Sequence, residues 1–476
     1  MVNAVLLAAA CAAAVFQPVW GFGILLLLTS TLFNLHQYFT VSLPVGYIEP
    51  VEALTASMMF AIFLKGTPVG KVRGEQVREI LSILAPYCAW QTVCVLVGLV
   101  SGGGTEQLRF GLRFLLSGVL PWFSLYVLAS LSAADGHKVF KSAYYLALAT
   151  AVIHLGLQLT DYRPLMRAAY WWVPENGEQD FSWMQLWLDR QDFVRGLPQG
   201  LTLILFFALL MVATYIFADA RGSKRIRSIV IAAILFTALF ITLTRSLMAV
   251  FGAGMMILIS LAVLTGRWRM GSLLRAGGIL MLFAGAAVVY DTIRPGFLDV
   301  WSTRIDRLSG SDSEIFSEEN AARGKDNLAA LAAIRDRPIL GWGTPRYPRE
   351  YSLRNGPPTD THPMLGLGVV GGIPAMVLMV LMETRLFLPA FRDLWRRPSA
   401  VQMLPFLAIL MMNAFALNMI GAGGSLTGPP ILVIAIFANE MFNRRAVATG
   451  PRFMSLAREK KDYATISPHI HFDAFV

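Results

Sequence analysis

Few residues in this chain could do chemistry, and the most suggestive stand where apolar runs begin or end. Arg195 lies in Asp192-Phe193-Val194-Arg195-Gly196-Leu197-Pro198, and Arg245 in Leu243-Thr244-Arg245-Ser246, a tight reversal between two apolar runs. An arginine so placed can simply snorkel to lipid headgroups. Two on one side of a membrane can do more. The planar guanidinium grips phosphate in a bidentate manner, and a pair could hold a diphosphate and stabilise it as a leaving group. His362 stands in Asp360-Thr361-His362-Pro363, directly before another apolar run. A lone histidine at a helix start is usually structural. At such a mouth, beside Asp360, it could also orient a hydroxyl or take its proton. Glu49 and Glu52, before and within the third apolar run, are secondary base candidates.

Aromatic residues crowd one polar stretch: Tyr162, Tyr170, Trp171, Trp172, Trp183 and Trp187. Trp and Tyr favour the headgroup level, so an interfacial belt accounts for the spacing. Trp171 and Trp172 could also stack on sugar rings. The stretch Phe181 to Phe193 reads as a helix lying along the membrane surface. Other chemistry is not signalled. The chain has no Walker loop, no dinucleotide fingerprint and no His-Glu-x-x-His motif. His469 and His471 read as a solvated tail, and Cys11, Cys88 and Cys94 as packing residues, so no metal or other cofactor is expected.

The elements that must position these groups follow from composition. Of 476 residues, 56% are hydrophobic and 15% charged. Soluble domains carry roughly 25% charged residues, so this is the balance of a membrane protein. Apolar runs fall near 3–17, 20–35, 50–65, 81–100, 110–132, 140–159, 198–219, 226–244, 246–265, 273–291, 363–388, 402–421 and 426–442. The first two are short enough to form a hairpin or one broken helix. The fold class is therefore an all-α polytopic membrane protein with about 12 to 13 spans. The N-terminus lacks a basic region before its first apolar run and reads as a retained helix.

Lys and Arg gather in every second loop, around 65–78, 138–141, 221–227, 267–275, 392–397 and 444–461. The net charge of +10 is thus a matter of topology rather than nucleic-acid binding. These loops and the tail, residues 443–476, are expected to be cytoplasmic. The organisation is then N-terminal helices (1–159), a first long periplasmic loop (160–197), central helices (198–291), a second long periplasmic loop (292–362) and C-terminal helices (363–442). In the second loop, Leu328, Leu331, Ala332 and Ile334 predict an amphipathic helix of about three turns, on the membrane surface or capping a cavity. Pro338 and the following glycines end it. Few ionisable residues fall within the runs, which weighs against an ion-coupled transporter, while a lipid-linked glycan flippase with a polar cavity stays as an alternative.

Over about 190–385 the chain resembles the O-antigen polymerase and ligase superfamily. The resemblance rests on Arg195-Gly196, Thr244-Arg245-Ser246, Arg323, the run Asp336-Arg337-Pro338-Ile339-Leu340-Gly341-Trp342-Gly343, His362, and Gly371-Gly372-Ile373-Pro374-Ala375. There are departures. Pro363 stands where Asn usually follows the histidine, Ser246 where Gly follows the arginine, and Asn327 where an aromatic is common. The resemblance implies a glycosyltransferase of the bacterial inner membrane that needs neither metal nor nucleotide. Its donor would be a polyprenyl-diphosphate-linked oligosaccharide. The acceptor would be a second lipid-linked glycan, giving polymerisation of O-antigen, capsule or exopolysaccharide, or a lipid A core, giving ligation. A chain-length regulator is a possible further partner. Arg195 and Arg245, with Arg323, would hold the diphosphate, His362 would act on the acceptor hydroxyl, and Asp360, Trp171 and Trp172 would contact substrate.

Overall fold

In lipid every backbone polar group has to be satisfied within its own segment, so apolar runs of this length fold as helices. The computed structural model describes residues 2–29, 39–43, 46–65, 71–100, 110–159, 198–217, 223–242, 245–268, 270–306, 314–344, 362–419 and 428–448. The helices are α1 (Val2–Phe16), α2 (Pro18–Thr29), α3 (Pro50–Lys65), α4 (Lys71–Val100), the composite α5 (Phe110–Ser130), α6 (Ala133–Leu159), α7 (Pro198–Phe217) and α8 (Ser223–Phe240). They continue with α9 (Arg245–Leu264), α10 (Met270–Ile293), α11 (Phe297–Asp306), α12 (Glu314–Asp336), α13 (Pro363–Arg396), α14 (Leu404–Met412) and α15 (Gly428–Ala448). A small antiparallel pair, β1 (Val41–Leu43) with β2 (Gly46–Ile48), precedes α3.

Among the described residues, six helices are long and apolar enough to cross a membrane: Glu75–Val100, Phe110–Ser130, Ala133–Gly156, Leu247–Leu264, Met270–Ile293 and Pro363–Arg396. Shorter apolar helices, such as Leu201–Phe217 and Ala400–Ala416, pack among them. The chain is an all-α polytopic membrane protein.

Two helices form the centre. Nearly every side chain from Leu201 to Ile216 and from Ile431 to Phe442 is buried, as expected of helices that are apolar all round. Phe140, Phe207 and Phe437 meet there with ring centroids 5.0 to 5.3 Å apart. By contrast α10 lies at the edge, with Leu274, Leu280, Met281 and Val289 exposed on its surface.

The basic groups gather at one end of the bundle. Arg275 donates to the Ile216 carbonyl, and Arg267 to those of Leu394 and Arg397. Arg445 pairs with Asp393 and Glu79, and buried Arg444 with Glu440. The opposite end holds the starts of α3, α5, α9 and α13.

Three expectations need correction. Helix α4 starts at Lys71 rather than near residue 81, because Glu75, Arg78 and Glu79 extend it as a polar first stretch. The segment after α10, expected to be loop, contains α11. Third, α12 spans 23 residues rather than about three turns. Leu328 and Leu331 are 60% and 49% exposed, whereas Ala329, Ala330, Ala333 and Ile334 are buried. Small residues let two helix backbones approach closely, and leucine can face lipid without penalty.

Candidate active site

The site is built around a break in α13. Gly371 and Gly372 leave helical geometry, Gly372 with φ of 69° and ψ of −172°. In a continuous helix each carbonyl accepts from the N–H four residues on. For Val370 that residue is Pro374, which has no N–H. The missing partners come from elsewhere. Trp342 N–H donates to the Val369 carbonyl at 2.7 Å and Gly343 N–H to that of Val370 at 2.9 Å. Trp90 Nε1 donates to the Gly371 carbonyl at 2.8 Å. On the far side, Ile373 N–H donates to the Pro338 carbonyl at 2.8 Å. Each of these groups, left unmade in an apolar surrounding, would cost several kcal/mol. The run Pro338–Gly343 therefore stitches the break.

Close approach explains the glycines of that run. Gly343 has φ of 69°, and a Cβ there would lie 2.6 Å from the Cys94 carbonyl of α4. A Cβ on Gly372 would overlap the Ile339 carbonyl. Trp342 is pinned on its other edge: its Nε1 donates to the Ala333 carbonyl at 2.9 Å, and the Arg337 guanidinium lies 4.0 Å from its ring centroid. The loop thus joins α12, α13 and α4 in one rigid corner.

That corner holds His362, the residue that caps α13. Its Nδ1 accepts from Met364 N–H at 3.2 Å. Pro363 suits the first helical position, where an N–H would have no partner in the helix. With Nδ1 accepting, the neutral imidazole carries its proton on Nε2, and the chemistry at that atom is hydrogen-bond donation to a phosphate or hydroxyl oxygen. The backbone N–H of His362 donates to Asn327 Oδ1 at 2.8 Å. Asn327 lies on α12, one turn beyond Arg323, and Ile334 of the same helix packs on the backbone of α13 at Gly368.

Arg245 is the first residue of α9. The reversal before it is braced by α11. Trp301 stacks on Phe240 with centroids 4.9 Å apart, and its Nε1 donates to the Phe240 carbonyl at 3.2 Å. Thr242, buried, donates to the Leu239 carbonyl. The helices that Arg245 and His362 begin share a neighbour, for the π-helical turn Asn413–Met419 packs against both α9 and α13. At the same end, Arg113 of α5 bridges Glu49 and Glu52. Glu52 is buried and also accepts from Glu49 N–H. A carboxylate so enclosed serves packing of α3 on α5 better than proton transfer.

Of the residues singled out from sequence, the structure brings His362 and the α12 segment bearing Arg323 to one corner, and sets Arg245 at the same end of the bundle. Arg195, Asp360, Trp171 and Trp172 lie outside the described residues. Arg323 and Arg245 are described by their backbone positions on α12 and α9. Sequence reasoning missed Asn327 as a partner of His362, Trp90 as a donor to the break, and Arg113. Only Arg113 carried a signal, as an arginine inside an otherwise apolar run. A buried carboxylate within a span was likewise unanticipated: Glu383 of α13 accepts from Asn413 Nδ2 at 3.3 Å.

The fold is a polytopic helical membrane bundle in which Arg245 and His362 stand at helix starts at one end. The O-antigen ligase family model matches residues 229–380, which supports the resemblance to the O-antigen polymerase and ligase superfamily over that stretch. No curated protein matches the chain. The matched stretch begins within α8 and ends within α13, and so contains Arg245, Arg323, the Pro338–Gly343 loop, His362 and the break. The corresponding activity class is that of polysaccharide polymerases and ligases, a glycosyltransferase-like reaction on lipid-linked glycans.

Proposed function

We propose that this chain joins polyprenyl-diphosphate-linked oligosaccharide repeats on the periplasmic face of the bacterial inner membrane, as a polymerase of O-antigen, capsule or exopolysaccharide. The observation that carries the proposal is that one family-matched stretch, 229–380, supplies both Arg245 and His362, as helix starts at the same end of the bundle. Arg195 and Arg245, with Arg323, hold the donor diphosphate. An acceptor hydroxyl attacks the anomeric carbon. The bond from that carbon to the diphosphate breaks, and its electron pair leaves with the diphosphate. His362 orients the hydroxyl or contacts phosphate as a donor through Nε2, and the hydroxyl proton passes to solvent. Proximity and charge stabilisation supply most of the rate, because diphosphate is already a good leaving group.

A second reading is transfer to a lipid A core, and the match to the O-antigen ligase family is compatible with both. The polymerase reading draws on the Pro363 that follows His362 in place of the usual Asn. Both use the same groups. The test is chain extension in cells bearing Arg245→Ala or His362→Ala. Each variant should insert normally and abolish extension. Normal extension in both would remove the assigned site, and export of unextended lipid-linked glycan would point to a flippase.

A further inference from the structure

We infer that Asn327 is a positioning residue for this reaction, coupling the helix that carries Arg323 to the backbone of His362. The inference rests on the function proposed above. Asn327 Oδ1 accepts from His362 N–H at 2.8 Å, between residues 35 positions apart in the chain. His362 is thereby fixed from two directions. Its ring is held by its own helix through Met364 N–H, and its backbone by α12. Loss of the Asn327 amide removes this tie from α12, while the Met364 bond fixes the ring relative to α13.

The placement of Asn327 is selective. The α12–α13 contact is made by Ala329, Ala330, Ala333 and Ile334 against Val369, and by the Trp342 and Gly343 backbone bonds. None of these needs the Asn327 amide. Removing it should therefore leave the corner assembled and free only the His362 end. Arg323 lies one helical turn before Asn327, so the register that fixes His362 also sets where the Arg323 backbone stands relative to it. In this chain the restraint on His362 is supplied by an amide.

The experiment compares the full-length chain with Asn327→Leu, which keeps the size and removes the acceptor, and Asn327→Asp, which keeps an acceptor oxygen. Turnover of a polyprenyl-diphosphate oligosaccharide should fall about 10- to 100-fold in Asn327→Leu, the scale expected of a misplaced catalytic group. The KM for donor should stay within about twofold, since binding is not the step altered. Asn327→Asp should recover most of the turnover, and the thermal midpoints of all three should agree. Independently of activity, hydrogen exchange at the first turn of α13 should speed up in Asn327→Leu alone. Unchanged exchange there would overturn the coupling. So would wild-type turnover in Asn327→Leu, or a loss that tracks a lowered midpoint without rescue by Asp. A wild-type protein that makes no product while exchange responds as expected would instead count against the proposed function.

Discussion

Gly343 N–H donates to the Val370 carbonyl at 2.9 Å because Pro374 cannot. This one bond links the two most recognisable stretches of the sequence, Pro338–Gly343 and Gly371–Ala375. It turns what reads as a signature into a mechanical joint: a helix broken by Gly-Gly and Pro, and a loop whose amides fill the break. The joint sets α12 and His362 relative to each other.

Substitution of Gly372 by alanine should break this joint. The added Cβ meets the Ile339 carbonyl, and the residue has a φ of 69°, so strain and overlap combine. We predict a loss of about 2–4 kcal/mol. Thermal unfolding in detergent reads it, and a midpoint equal to wild type would show that the break does not require glycine.

Trp342 separates packing from hydrogen bonding. In Trp342→Phe the bond to the Ala333 carbonyl is lost and much of the ring contact with Arg337 is kept. The expected cost is about 1 kcal/mol, against about 3–5 for Trp342→Ala. Equal losses in the two variants would mean that the indole N–H, and not the ring, holds the corner.

The face of α12 can be tested by contrast. Ala330 is fully buried, so Ala330→Leu overpacks the α12–α13 contact and should cost about 1–3 kcal/mol. Leu328 is 60% exposed, and Leu328→Ala should stay within about 0.5 kcal/mol. The reverse order would mean that the leucine face, and not the alanine face, carries the contact with α13.

Arg113 provides a second test at the same end of the bundle, two residues from Gly111, where a Cβ would lie 3.1 Å from the Gly343 carbonyl oxygen. Arg113→Ala leaves Glu49 and the buried Glu52 without their shared cation. Leaving a buried charge unpaired costs about 3–5 kcal/mol, so this variant should insert poorly or melt early. Adding Glu49→Gln and Glu52→Gln should return much of the stability. If the triple variant is stable and also active, neither carboxylate serves as a base.

What the sequence disclosed and what it hid follow from the range of the interactions. Apolar runs and alternating basic loops are local signals, and they gave the helical membrane fold and the grouping of basic residues at one end. His362, Arg245 and the Pro338–Gly343 run were visible as residue types before or between such runs. Their partners were not. Trp90 and Gly371 are far apart in the chain, and nothing near either announces the bond between them. The face of α12 that meets α13 was not legible, for a physical reason. In water leucine marks the buried side, but against lipid it need not, and here the alanines mark where α13 comes close. Asn327 was noticed only as a departure from a family pattern, since its role depends on the backbone of His362.

The central claim is that this bundle joins lipid-linked glycans at the end where His362 and Arg245 begin their helices. The most direct test is to incubate purified protein with a polyprenyl-diphosphate oligosaccharide, without nucleotide, and to resolve the products by size. A ladder of longer lipid-linked glycans, absent in His362→Ala, is the predicted result. Transfer seen only after a lipid A core is added would replace polymerisation by ligation. No product with either acceptor would contradict the account.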